Sequence, residues 1–172
     1  MAITKIATVT VGSGGAASID FTSIPGTMTD LMVVYSTRPG STDGSWVLKV
    51  KFNGVNTNQT LRGLDGDGSS ASSFTGTEIA GINEGSSATA NTFSNGQIYI
   101  PNYAGSTNKS VSLDGVSETN ATTAYQRIAA GLWSSTAAIN QVTLVAPSTF
   151  AQYSTATLYG ITKGSLAGVT VS

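Results

Sequence analysis

Residues 19–38 read IDFTSIPGTMTDLMVVYSTR, and this stretch decides the fold class. Two apolar runs flank an Ile24-Pro25-Gly26-Thr27 corner, and the second, Leu31-Met32-Val33-Val34-Tyr35, is among the most apolar in the chain. A short run rich in β-branched and aromatic residues, bounded by Pro and Gly, indicates a buried strand rather than a helix. Pro25 presets its own φ and Gly26 tolerates the turn that follows, so the chain is expected to reverse here and feed a central strand over residues 30–38.

Upstream, Ile3, Ile6, Val9 and Val11 mark a first strand, with Ala7 among them. The spacing is uneven, which predicts a bulge or register change near Ile6-Ala7. Gly12-Ser13-Gly14-Gly15 is a turn, and residues 17–21 return as a second strand; so tight a connection predicts an antiparallel hairpin. Downstream, Pro39-Gly40-Ser41-Thr42-Asp43-Gly44 is a loop. Residues 45–53 then alternate, with Trp46, Leu48, Val50 and Phe52 on one face and Val47, Lys49 and Lys51 on the other. That pattern predicts a sheet with one face in a core.

From residue 54 to 92 the pattern weakens into Gly, Ser, Asn and Asp, with an apolar island at 78–82 that reads as an edge strand. Loops on a stiff scaffold carry binding, so this stretch is where function is expected. Strand periodicity resumes at 92–101, 110–118, 124–133, 138–146 and 155–163. No amphipathic helical stripe occurs. Roughly nine strands with Gly-rich turns and no βα alternation predict a single-domain, all-β antiparallel β-sandwich resembling a jelly roll. Its expected extent is residues 1–163, followed by a C-terminal tail, 164–172, that docks on a neighbour.

The composition narrows the chemistry. Charged residues make up 10% of the 172, against roughly 25% for an average soluble domain, so the expected surface is Ser, Thr, Asn and Gly. Such a surface repels neighbours weakly and suits dense packing. With a net charge of −1 and its eight Lys and Arg scattered, the chain offers no electrostatic case for nucleic acid. No window approaches about 18 consecutive apolar residues, so no membrane partner is expected. The alternating N-terminus, MAITKIATVTV, does not read as a secretory signal. The absence of Cys and His removes thiolate catalysis, disulfides, and the commonest general base and metal ligand.

Few candidate sites remain. Asp65-Gly66-Asp67-Gly68-Ser69 offers carboxylates to a calcium ion, but the twelfth position of an EF-hand loop counted from Asp65 is Gly76, not Glu. A solvated turn is the expected reading. Glu78 and Glu84 flank the apolar island, though nothing in the sequence sets them opposite one another as glycoside hydrolysis requires. Trp46 and Trp133 fit core packing better than sugar stacking, and Tyr99, Tyr103, Tyr125 and Tyr153 fit an interface equally well. No enzyme activity and no cofactor are expected.

Several stretches occur in a telling order: IDFTSIPGTMTDLMVVYSTR, LKVKFNG, SATANTFSNGQIYIPNYAGSTNKSV, GLWSSTAAINQVTL and LYGI. Together, over residues 19–161, they resemble a family of small virion proteins of tailed bacteriophages, with an early I-P-x-T-Y-T-D-L corner and an L-W-x-S-T-x-A-I turn before the penultimate strand. Met28 stands where that pattern has an aromatic. The resemblance implies a β-sandwich structural protein of a virus particle, on the head or on the tail. On the favoured reading it is a capsid decoration or cement protein, trimeric, made in the host cytoplasm and bound to the major capsid protein on the head surface. The alternative is a tail or fibre module that touches a host glycan through a pocket lined by Tyr or Trp. The expected contact residues are Ala2, Ile3, Thr4, Lys5 and Ile6 of the first strand, Leu61, Arg62, Leu64 and Phe74 of the long loop, and Leu166, Val169 and Val171 of the tail.

Overall fold

The computed structural model describes residues 1–40, 47–83, 85, 88–118, 120 and 124–163. Its twelve strands are β1 (Ala2–Thr10), β2 (Ala16–Phe21), β3 (Asp30–Thr37), β4 (Val47–Phe52), β5 (Gln59–Gly66), β6 (Ala71–Gly76), β7 (Ala80–Ile82), β8 (Ser94–Pro101), β9 (Lys109–Ser117), β10 (Tyr125–Trp133), β11 (Val142–Phe150) and β12 (Thr155–Thr162). They form an eight-stranded sheet, β1-β12-β3-β8-β9-β10-β5-β6, and a four-stranded sheet, β2-β11-β4-β7. All pairings are antiparallel.

The connectivity is that of a rolled ribbon. β1 pairs with β12, β2 with β11, β3 with β8 and β4 with β7, as successive rungs of one long antiparallel ladder. Rolling the ladder sets β12 beside β3 and β11 beside β4, with alternate rungs in alternate sheets. This is a jelly roll. The hairpins β5–β6 and β9–β10 are insertions that widen only the larger sheet.

Alternation places the core. Leu31, Val33 and Tyr35 from β3 meet Leu48, Val50 and Phe52 from β4 and Leu144 from β11, all buried. Each fully buried side chain of this kind contributes about 1.5–3 kcal/mol of transfer free energy. Trp133 closes the core at the end of β10, its ring 5.5 Å from that of Phe52. The 24–27 corner is pinned by the buried Tyr103, whose hydroxyl donates to the Pro25 carbonyl and accepts from the Met28 amide at 3.3 Å. Asp30 follows directly, accepting from the Tyr99 hydroxyl at 2.7 Å and the Asn102 amide at 2.9 Å. Met28 packs beneath Gly160, where a Cβ would lie 2.6 Å from its Cγ.

Several expectations hold, and three need correction. The register of β1 against β12 does shift between Lys5 and Ala7, with Ile6 as the extra residue. The island at 78–82 contains β7, an edge of the smaller sheet. By contrast, β1 and β2 do not form a hairpin; they enter different sheets. Gly15, at φ 72°, lets the chain cross the end of the sandwich, and a Cβ there would sit 2.9 Å from the Phe150 carbonyl. The long loop expected around residues 61–76 is instead a regular hairpin of β5 and β6. Its Gly-rich composition has a packing reason, because the Phe74 ring occupies the space a side chain at Gly63 would need. Finally, β11 runs through Pro147 rather than ending before it, because the ladder to β2 is already interrupted between Val145 and Phe150.

Candidate functional site

The smaller sheet covers one face of the larger, and the opposite face looks outward. In the register, Thr8, Thr157, Val34, Gln97, Asp114, Ile128, Leu64 and Ser73 form one row across all eight strands. Strand alternation sends all of them to the outer side, because their neighbours Val33, Ile98, Leu113 and Ala129 are buried. An outward row is expected to be polar. Here Ile128 is 70% exposed, Leu64 59% and Val34 40%, with Val116 in the adjacent row. Ile128 and Leu64 are direct cross-strand partners.

A shallow groove of about 440 Å³ lies over the same region. Val34, Val116 and Ile128 supply its apolar lining, and Asn95, Gln97, Asp114 and Gln126 its polar lining. Gln97 donates to Asp114 across β8 and β9 at 3.3 Å. Beneath it, Tyr35, Gly96 and Gly115 are register partners on the inner face. The Tyr35 ring lies across both glycines: a Cβ would fall 2.5 Å from its hydroxyl oxygen at 96 and 2.8 Å at 115. Burial pushes the Tyr35 phenol well above the usual tyrosine range, opposed in part by the Ile82 backbone amide. The hydroxyl makes no well-formed hydrogen bond among the described residues.

The inner face of β10, β5 and β6 is stapled by Arg127. Its Nε and Nη2 donate to Asp65 at 2.8 and 2.7 Å, and its Nη1 donates to the Gly81 carbonyl of β7 at 3.2 Å. Its guanidinium lies 4.4 Å from the Phe74 ring centroid. One side chain thus joins β10, β5 and β6 to the edge of the opposing sheet.

The residues expected to make contacts are scattered by the fold. Ala2, Ile3, Thr4 and Lys5 are exposed on β1, and Ile6 is half-buried against the core. Lys5 and Arg62 stand in one outward row, near opposite ends of the sheet. Leu64 is on the outer face, but Leu61 is buried in the core, because odd positions of β5 before Gly63 point inward. Phe74 is half-buried beneath Arg127. Leu166, Val169 and Val171 lie outside the described residues, as do Trp46 and Glu84. Val34, Val116 and Ile128 were not among the expected contacts. The signal was available for Ile128: counting back by twos from Trp133 assigns residue 127 to the core side and residue 128 to the solvent side.

The carboxylates of the candidate calcium loop are otherwise engaged. Asp65 belongs to Arg127. Asp67 accepts from the Ser69 and Ser70 amides at 2.9 and 2.6 Å and from both hydroxyls at 2.9 and 3.0 Å, an arrangement that holds its carboxyl well below the usual range. Glu78 pairs with Lys49 at 2.6 Å and accepts from Asn56. Among the described residues no three His, Cys, Asp or Glu side chains converge as a metal cage. In comparison with known proteins, the chain matches no family model, no curated protein sequence and no solved structure.

Proposed function

We propose that this chain is a non-enzymatic structural protein of a bacteriophage virion, a decoration or cement protein that binds the outer surface of the shell built by the major capsid protein. The observation that carries the reading is the outward row of the larger sheet, where Val34, Ile128 and Leu64 stand solvated on a stiff, sparsely charged face. Ile128 and Leu64 stand side by side in that row with Val116 in the next, an apolar display of the kind that marks a docking surface. The ordered series of motifs over residues 19–161 supports the same reading. The mechanism is mass action: a protein that binds only the assembled shell stabilises it by about 2.7 kcal/mol per site at a free concentration of 100 Kd. Copies associate with one another on the shell.

The tail or fibre alternative calls for an exposed pocket lined by Tyr or Trp. The groove on the outer face is lined by aliphatic, amide and charged side chains, with no Tyr or Trp among them, which favours the docking reading. The test compares heads assembled with and without the protein, and heads given an Ile128→Lys/Leu64→Glu variant, whose opposite charges face each other across the ladder. Bound wild-type protein should raise the temperature at which heads rupture, and the variant should leave heads undecorated. Equal heat and salt resistance in both sets of heads would sink the proposal.

A further inference from the structure

Each sheet has two edges, and three of the four are blunted. β1 carries Lys5 and the register shift at Ile6. β2 carries Asp20, whose carboxylate accepts from Thr143 at 2.6 Å. β7 is three residues long and its Gly81 carbonyl is taken by Arg127. Charges, bulges and shortness are the devices that keep a sheet edge from pairing with another chain. β6 has none of them. Its sequence, Ala71-Ser72-Ser73-Phe74-Thr75-Gly76, holds no charge and no Pro, and it pairs with β5 at all six positions without irregularity. Among the described residues no strand pairs with its other side.

This edge is also held rigid. The Asp67 turn locks the β5–β6 connection, and Phe74 is clamped between Gly63 and the Arg127 guanidinium. A pre-organised edge loses little conformational entropy on pairing.

We infer that β6 is a self-association edge, at which a second copy of this chain adds its own β6 antiparallel about a two-fold axis and fuses two eight-stranded sheets into one. The occupant is a second copy because an uncharged edge is complementary to itself under a two-fold, and the isologous contact closes. Two antiparallel strands that keep their inner faces on the same side must pair residues of equal parity, so one residue faces its own copy. That residue falls among 72–75. The contact deepens the proposed function only in its self-association, and replaces the three-fold arrangement with an even-numbered one.

The experiment is sedimentation equilibrium of the full chain up to about 100 µM, with Ser73→Lys as the disrupting variant and Thr8→Lys, on the opposite edge, as control. The expected result is a dimer for the wild type and the control, weakened about threefold or more by Ser73→Lys because the two introduced charges then stand near one another across the joint. Since the chain has no cysteine, single-Cys variants at 72, 73, 74 and 75 report the register. One of them should oxidise to a covalent dimer. A wild-type monomer, a trimer, or a dimer indifferent to Ser73→Lys would each overturn the inference. Binding of monomeric Ser73→Lys to heads would leave the decoration reading standing on its own.

Discussion

Tyr35 shows how one side chain couples core chemistry to pH. Its phenol is neutral in the folded chain well past the ordinary value of 10.0, because burial disfavours the phenolate. Below that value both states are protonated and its contribution is fully present. As pH rises through it, the unfolded chain ionises while the folded chain does not, so stability falls by about 1.4 kcal/mol per pH unit for this group. Tyr35→Phe should remove that share, moving the alkaline unfolding midpoint upward in a circular-dichroism titration. At neutral pH it should cost under about 1 kcal/mol, since the hydroxyl has no well-formed bond to lose. Tyr103→Phe should behave oppositely, costing about 1–2 kcal/mol by urea unfolding, because the Pro25 carbonyl and Met28 amide lose their shared partner. Glu78 adds a weak acid limb: its carboxyl is held below the ordinary 4.5 chiefly by the Lys49 hydrogen bond. The stabilisation is present above that value and lost as pH falls through the depressed one, and Glu78→Gln should flatten it.

At the scale of elements, the widened part of the larger sheet depends on Arg127. β10, β5 and β6 are the three strands at the end of the larger sheet away from β1, and the Arg127–Asp65 pair, with side chains 11% and 24% exposed, is joined to β7 through the Gly81 carbonyl. Arg127→Met should cost about 3–5 kcal/mol in chemical denaturation, because it strands the Asp65 carboxylate in a largely desolvated place. Adding Asp65→Asn should recover part of that loss. Asp67→Ala acts more locally. It removes the acceptor that closes the β5–β6 turn and should speed amide exchange in β6 while leaving β3 and β8 protected. The β5–β6 hairpin was hidden in the sequence for a physical reason. Gly63 is small because Phe74 lies over it, and Ser72, Ser73 and Thr75 are polar because β6 is an exposed edge; a half-solvated edge strand has little apolar periodicity to show.

For the whole molecule, the proposed docking surface and the fold are separable. Ile128 and Leu64 make their apolar display on solvent and face each other across the ladder, so the opposite-charge pair Ile128→Lys/Leu64→Glu should change unfolding free energy by no more than about 0.5 kcal/mol per site, while abolishing the proposed attachment to heads. A variant that unfolds would assign these side chains to stability instead. The two sheets share one core running from Val11 and Ile19 to Trp133 and Leu158.

The amino-acid sequence by itself determined the all-β class, the strand faces of β4, the irregularity at Ile6 and the edge strand within 78–82. All of these are written in the alternation of neighbouring residues along one strand, a local signal of period two. Only the tertiary structure decided that β1 and β2 part into different sheets, and that Val34, Gln97, Asp114, Ile128 and Leu64 meet in one row. Alternation states which side of a strand is buried but is silent on which strand lies alongside, because that choice is made by the non-local packing of the rolled ribbon.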